Sequence, residues 1–244
     1  NNLADNKNLV IDTTPPEITS ITSTTPDSTY GTGASINVTV NFSETVDLDG
    51  GESLDLTLNN GRILNVESAD LLGSSGSVSF TVQSSDDTGG ADLTVSTIAV
   101  TGTLEDSYGN VAVVPYTASG WTNLGTNRNI TIDTTAPEIT SITSSTTNGT
   151  YGAGASINVT VNFSETVDLD GGESVDLTLN NGRVLSIDSA DLSGSSGSVS
   201  FTVQSSDETS GAELTVNTIG VTGTLEDDYG NVAVAPYTAA GWTN

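Results

Sequence analysis

The sequence predicts an all-β chain of two tandem antiparallel β-sandwiches in an elongated arrangement. Three observations carry that reading. The chain repeats itself: Tyr30 recurs as Tyr151, Phe42 as Phe163, Arg62 as Arg183 and Trp121 as Trp242, always at a spacing of 121 residues and without any insertion. Within each copy apolar residues alternate with polar ones at a period of two, the signature of a strand with one buried face. Gly, Asn and Asp clusters punctuate these runs as turns do. A unit of this length is a whole domain rather than one turn of a solenoid, so the chain is an array of beads.

The elements follow in order. In residues 34–43, Ile36, Val38, Val40 and Phe42 alternate with Asn37, Thr39, Asn41 and Ser43. Leu54, Leu56 and Leu58 alternate with Asp55 and Thr57, and Asn59-Asn60-Gly61 supplies a hairpin signal before residues 62–66. Val78, Phe80 and Val82 form the next run. Leu93 and Val95 begin another after the turn at Asp86-Asp87. Leu104-Glu-Asp-Ser-Tyr-Gly-Asn110 reads as a turn, followed by the segment 111–115, a polar loop through Trp121, and a closing strand at 129–132. No stretch has a convincing helical period. Seven or so short strands at this spacing point to a sandwich of immunoglobulin-like type. Between copies lies a stiff joint, Asp133-Thr-Thr-Ala-Pro137, whose counterpart is Asp12-Thr-Thr-Pro-Pro16. Proline fixes φ there and keeps its neighbour extended. The expected divisions are a closing strand of a preceding module or a donor strand at 1–12, module 1 at 13–133, and module 2 at 134–244.

Composition narrows the function. The 244 residues carry 31 acidic side chains against 4 basic ones, a formal charge of -27. Phosphate backbones need Lys and Arg, so nucleic acid is excluded as a partner, and an anionic membrane surface with it. Metal cations are the natural counter-charges. With no Cys and no His there is no thiol or imidazole chemistry, no disulfide and no ordinary zinc site. No secretory leader and no apolar run of membrane length is seen, so membrane insertion is not expected. The absence of Met suits a processed product or an excerpt.

The run ITSITSTTPDSTYGTGASINVTVNFSETVDLDGGESLDLTL, the later LEDSYGNVA, and LGTNRNITIDTTAPEIT resemble the bacterial immunoglobulin-like, cadherin-like repeats of very large surface adhesins. Those repeats show a Phe-Ser-Glu at a strand end, an Asp-x-x-Gly-Asn turn, and a Leu-Gly-x-Asn-Lys to Ile-Asp-x-x-x-Pro joint, and each occurs here twice. The resemblance covers essentially the whole chain. It implies tandem extender domains on an extracellular or cell-surface protein, often stiffened by calcium. The insertion Asp-Leu-Asp-Gly-Gly-Glu after Phe-Ser-Glu-Thr-Val departs from the family pattern.

In such a sandwich the first strand begins, and the second ends, at the pole that also holds the turn before the last strands. Asp12, Glu44 and Asp106 are then expected together at one pole of module 1, and Asp133, Glu165 and Asp227 at the same pole of module 2. Calcium takes six to eight oxygens, mostly carboxylates and carbonyls, and carboxylates converging without a basic neighbour call for a cation. The alternative is a set of solvated loop acids, with Asp and Asn serving as turn formers. A second candidate is Asp47-Leu-Asp49-Gly-Gly-Glu52, matched by Asp168, Asp170 and Glu173; its alternating acids and glycines resemble part of a calcium loop, and a solvated acidic turn explains them equally well. The acids at Asp86-Asp87, and at Asp207-Glu208, are expected at the opposite pole, completing a site with the next module.

An enzyme is not expected: without His or Cys a hydrolase would need paired carboxylates in a cleft, and short turns of a small sandwich offer none. Trp121, Trp242, Tyr116 and Tyr237 suit either a sugar platform or the cover of a core edge. An intramolecular isopeptide crosslink fails because Lys7 becomes Arg128. Sequons at Asn37, Asn41, Asn129, Asn148, Asn158 and Asn162 read as polar strand faces. The favoured function is a structural extender of an extracellular bacterial adhesin or fibre, stiffened by calcium at its poles. Its partners would be neighbouring modules and calcium ions, with an adhesive target that the residues do not name. One alternative is a filament subunit joined head to tail to identical subunits by donor-strand complementation. It arises because residues 3–12 repeat the closing strand 124–133 while module 2 lacks its own. The other alternative is a glycan-binding surface module.

Overall fold

A computed structural model of the chain describes residues 7–48 and 51–238. The chain is nearly all β and forms two compact units, Asn1–Thr134 and Thr135–Asn244. No helix among the described residues is long and apolar enough to cross a membrane.

In the first unit the elements run β1 (Ile18–Thr22), β2 (Ser28–Tyr30), β3 (Ser35–Phe42), β4 (Val46–Leu48), β5 (Ser53–Leu58) and β6 (Ile63–Glu67). They continue as β7 (Leu71–Leu72), β8 (Ser75–Thr81), β9 (Val95–Thr101), β10 (Leu104–Asp106), β11 (Thr117–Thr122), the single helical turn α1 (Leu124–Asn127) and β12 (Ile130–Ile132). One sheet has the order β11-β1-β3-β8-β7 and another β6-β5-β9, with two short pairs, β10-β4 and β12-β2. The alternation seen in the sequence sets the faces. Ile36, Val38, Val40 and Phe42 of β3 join Leu54, Leu56 and Leu58 of β5 in one buried cluster. The intervening Asn37, Thr39 and Asn41 stay half-exposed, because successive side chains leave a strand on opposite faces. Full burial of each Ile or Leu stabilises the unit by about 1.5–3 kcal/mol relative to exposure. The β5–β6 hairpin turns through Gly61 at φ +87°, a conformation that L side chains rarely adopt.

The second unit repeats the plan with β13 (Ile139–Thr143), β14 (Ser156–Phe163), β15 (Ser174–Leu179), β16 (Val184–Ile187), β17 (Leu192–Ser193), β18 (Ser196–Thr202) and β19 (Val216–Thr222). Its sheets are β13-β14-β18-β17 and β16-β15-β19, again around a single apolar cluster that includes Ile139, Val161, Phe163, Leu177 and Ile187.

Three local expectations need correction. Residues 117–122, read as a polar loop, form β11, which pairs in parallel with β1; its hydrogen bonds come from the backbone and leave no apolar pattern in the sequence. β12 likewise pairs in parallel with β2, so the sheets are not purely antiparallel. The helical turn α1 precedes β12, started by Asn123, whose side chain accepts from the Leu124 amide. Residues 8–11, expected as the closing strand of a preceding module or as a donor strand, pair with no strand among the described residues, and Leu9, Val10 and Ile11 stand 69%, 85% and 89% exposed.

Candidate functional site

Three chain segments meet at one end of the first unit. Glu44 lies two residues past the end of β3, Asp106 closes β10, and Asp12 lies on the segment leading to β1. That segment is pinned to the end of β3 by a reciprocal pair: the Glu17 amide donates to Ser43 Oγ at 3.0 Å, and the Ser43 amide donates to the Glu17 carbonyl at 2.8 Å. One carboxylate oxygen each of Asp12, Glu44 and Asp106 then lies within 4.8 Å of the others. Two ligands on opposite sides of one calcium, each at about 2.4 Å, stand about 4.8 Å apart, so the spacing fits a shared ion. Asp12 and Glu44 are half-buried and Asp106 is buried.

Asp106 is the organiser. Its Oδ1 accepts from the amides of Tyr108 and Asn110, both at 2.8 Å, and its Oδ2 accepts from Asn110 Nδ2 at 2.8 Å. The Asn110 amide group also reaches the Asp12 carbonyl at 3.4 Å, tying the turn to the first acid. Burial opposes ionisation of Asp106, yet the donors at Asn110, Tyr108 and Gly109 hold it below the ordinary aspartate value. Glu44 shifts the other way: burial raises it, and the negative charges of Asp12 and Asp106 raise it further. The donor set is entirely hard oxygen, which suits calcium or magnesium rather than zinc or copper. Asn110 escaped the sequence reading of the site, although it is the last residue of the Asp-x-x-Gly-Asn turn.

The second unit builds the same turn. Asp227 Oδ1 accepts from the amides of Tyr229 and Asn231, and Oδ2 from Asn231 Nδ2, all at 2.8 Å. Glu165 follows β14 and is half-buried, while Asp227 is 3% exposed. Asp133, the third member expected from the repeat, follows β12 and belongs to the first unit.

The second acidic loop is arranged differently. Asp47 lies exposed within β4, its backbone opposite Glu105, and Asp49 is outside the described residues. Glu52 packs against Gly102, where an added Cβ would come within 2.4 Å of Glu52 Cγ. In the other copy Asp168 and Asp170 are exposed. Glu173 accepts from the amides of Asp170 at 3.0 Å and Thr224 at 2.8 Å, so it clamps two backbone segments. Among the described residues Asp168, Asp170 and Glu173 form no group of converging carboxylates like the first.

The acids at the turn after β8 also have protein partners. Arg62 Nη2 and Nε donate to Asp86 Oδ2 at 2.5 and 3.0 Å, and the Gln83 amide donates to the same oxygen at 2.7 Å. The Arg62 guanidinium lies 4.8 Å from the centroid of the Phe80 ring. Arg183 and Asp207 repeat this pair at 2.6 Å, and the Arg183 hydrogen bonds hold Asp207 below the ordinary aspartate value. The signal was present in the sequence: each Arg precedes its Asp by the same 24 residues. Asp87 accepts from the amides of Gly89 and Thr134. Tyr116, Trp121 and Tyr237 are partly buried against the cores, as cover for a core edge would be, and Trp242 is outside the described residues. Asn37 and Asn41 bond to side chains on neighbouring strands.

No family model matches the chain, and no curated protein matches it. Among solved structures it is similar to a crystal structure of a DUF4785 family protein from Legionella pneumophila subsp. pneumophila strain Philadelphia 1, at 14% identity and a TM-score of 0.30, over 87% of this chain and 53% of that one. The chain thus spans about half the length of that neighbour, and a likeness this loose carries no argument.

Proposed function

We propose that the chain is an extender segment of an extracellular bacterial adhesin or fibre, made of two tandem immunoglobulin-like sandwiches, with calcium at one pole of each. The observation that carries this reading is the convergence of Asp12, Glu44 and Asp106 on one small volume. The repeat gives Asp133 the same relation in sequence to Glu165 and Asp227. Near-identity of the copies suits repetitive spacing rather than specialised recognition. Calcium would offset the burial and the mutual repulsion that disfavour a charged Glu44, and tie the entry segment to the β3 and β10 ends. Extracellular modules need only weak sites, with Kd on the order of 10⁻⁴–10⁻³ M.

The test is thermal unfolding and small-angle scattering with millimolar calcium or with EDTA. Calcium is expected to raise the Tm, and Glu44→Gln to weaken that response. A Tm and a scattering length indifferent to EDTA would sink the calcium reading. In EDTA the pH dependence has a definite sign. Glu44 is raised above 4.5 in the folded state, so its contribution improves as pH falls through the raised value. Asp106 is lowered below 3.8, so its contribution holds above 3.8 and is lost on further acidification. Calcium-free protein should therefore recover part of its lost stability between neutral pH and about 4, and Glu44→Gln should abolish that recovery.

A further inference from the structure

We infer that each unit carries an open sheet edge for strand addition, residues 111–113 in the first and 232–234 in the second, and that its occupant is an extended polypeptide segment alternating apolar and basic residues. The edge belongs to a ribbon of three short segments. β4 pairs with β10 so that Asp47 stands opposite Glu105, and Glu105 in turn stands opposite Val111 in an antiparallel bridge. The Ala112 amide donates to the Leu104 carbonyl at 2.8 Å, and the Asp106 amide donates to the Asn110 carbonyl at 3.2 Å. Residues 110 and 112 thus direct backbone groups at β10. Those of Val111 and Val113 point the other way, because the direction alternates along a strand. Their N–H and C=O groups have no partner among the described residues. Pro115, which has no N–H, ends the edge.

The side chains divide by the same alternation. Ala112 turns inward at 7% exposed and joins Val46, Leu48 and Leu104, all buried. Val111 and Val113 turn outward, 46% and 67% exposed. They share that outer face with Glu105 and Asp47, since residues opposite one another on neighbouring strands lie on one face. The second unit repeats each part. Asp168 stands opposite Glu226, and Glu226 opposite Val232. The Ala233 amide donates to the Leu225 carbonyl at 2.8 Å, and the backbone groups of Val232 and Val234 have no partner among the described residues. Ala233 is buried between Val232 and Val234, which are 48% and 77% exposed. The open edge is therefore a property of the repeat and does not depend on a copy's place in the chain.

The charges around the edge select its occupant. Asp47 and Glu105 are directly opposed, as are Asp168 and Glu226, an arrangement that destabilises a sheet unless a cation relieves it. The arginines are engaged elsewhere: Arg62 with Asp86, Arg128 with Asp27 and Arg183 with Asp207. A second copy of this chain would bring its own charge of -27 to the same place, so self-pairing is opposed. A basic strand is not. Beside residues 111–113 it would bond to the backbone of Val111 and Val113. Strands lie about 4.8 Å apart, so a Lys or Arg on its outer face would lay its methylene stem over a valine and carry its charge to Glu105. Its alternate residues would lie on the Ala112 side, where apolar side chains extend the buried layer. Main-chain bonds supply the affinity of such strand addition, and the side chains its specificity. None of the acids that face this edge belongs to the calcium reading, so the two stand or fall separately.

The test uses the 244-residue chain, in EDTA and in calcium, with a capped heptapeptide of alternating Val and Lys and a second in which Glu replaces Lys. Physiological salt screens diffuse attraction to the acidic chain. The Lys peptide should bind at two sites per chain in calorimetry and slow hydrogen exchange at the amides of Val111, Val113, Val232 and Val234, and the Glu peptide should do neither. Val113→Pro removes an outward donor, leaves the Ala112–Leu104 bond, and should reduce the stoichiometry to one. Glu105→Gln keeps the backbone intact, so it carries the test if the proline variant loses its fold; it should weaken binding at the first edge by about fivefold, the scale of a surface ion pair. Equal binding of the Glu peptide, two unchanged sites in both variants, or protection away from the two edges would overturn the proposal. So would slowed exchange at these four amides in concentrated protein alone, which would make a second copy the occupant.

Discussion

The two units are nearly the same sequence folded twice, and they differ where one strand is concerned. Ile21 and Ile142 sit in identical Ile-Thr-Ser-Ile-Thr strands, yet only Ile21 is fully buried. Leu93 and Leu214 follow turns of similar sequence and diverge in the same way. At the other core positions the copies agree. Burial is therefore not a property that a strand carries in its own pattern. The pattern says which face wants cover, and a segment distant in sequence decides whether it gets it. In the first unit that segment is β12, about 100 residues from the β2 edge on which it lies.

The largest expected effect comes from breaking this difference. Ile132→Ala should destabilise the first unit by about 3 kcal/mol, the usual cost of truncating a buried Ile, and leave the second unit alone. Hydrogen exchange followed by mass spectrometry gives the site-level check. The Leu93 amide, bonded to Ile130, should lose protection in the variant. The Leu214 amide, with no acceptor among the described residues, should exchange fast in both proteins. Equal protection of Leu93 and Leu214 in the wild type would mean that β12 is not what separates the units.

How far the sequence could be read follows from the same physics. Strands such as β3, β5 and β8 were legible because one face is buried and the other wet, which writes a period of two into the side chains. β12 was legible for the same reason. β11 was not: Thr-Ala-Ser-Gly-Trp-Thr is held by the edge of β1 through backbone groups that every residue shares. Residues 8–11 carry the same pattern as β12, but a strand pattern needs an edge to pair with, and none of the described residues supplies one. The acidic triad of the first unit could be placed because its members mark element ends, at β3 and β10. Asp47, Asp168 and Asp170 looked equally good by spacing, but spacing in a turn does not fix where carboxylates point. In the second copy it is Glu173 that turns inward, onto backbone amides.

A smaller effect should sharpen the comparison at the Arg–Asp pairs. Asp86 is 4% exposed, and Arg62 supplies two of its hydrogen bonds. Arg62→Met removes the guanidinium from over Phe80 and leaves the carboxylate in place with the Gln83 amide. The expected cost is about 2 kcal/mol, below the roughly 3–5 of a fully buried pair because the Arg62 side chain is partly exposed. Arg183→Met should cost less, since the Asp207 side chain is more exposed than that of Asp86, at 10% against 6%. Asp207 adds a pH signature: its lowered pKa contributes stability above the ordinary aspartate value that is lost as pH falls through the folded one. Arg183→Met should flatten that acid limb. Urea unfolding of both variants from pH 3 to 7 measures it, and a cost in the second unit equal to or above the first would contradict the ranking by exposure.

The smallest effect is a control on the end where the units agree. Gly102 and Gly223 have φ of +84° and +81°, a region that costs an L residue about 1–2 kcal/mol. A Cβ at either position would lie 2.4 or 2.5 Å from the Cγ of Glu52 or Glu173. In the second unit that glutamate holds the amides of Asp170 and Thr224. Gly102→Ala and Gly223→Ala should each cost about 1–2 kcal/mol for the backbone conformation alone, and the two costs should match in urea midpoints. These glycines sit in the turns after β9 and β19, where neighbouring core residues Leu104 and Leu225 are each 1% exposed. A much larger loss in the second unit would show that weakness at its uncovered side spreads through the whole unit, whereas equal losses confine the difference between the copies to the slot that β12 fills.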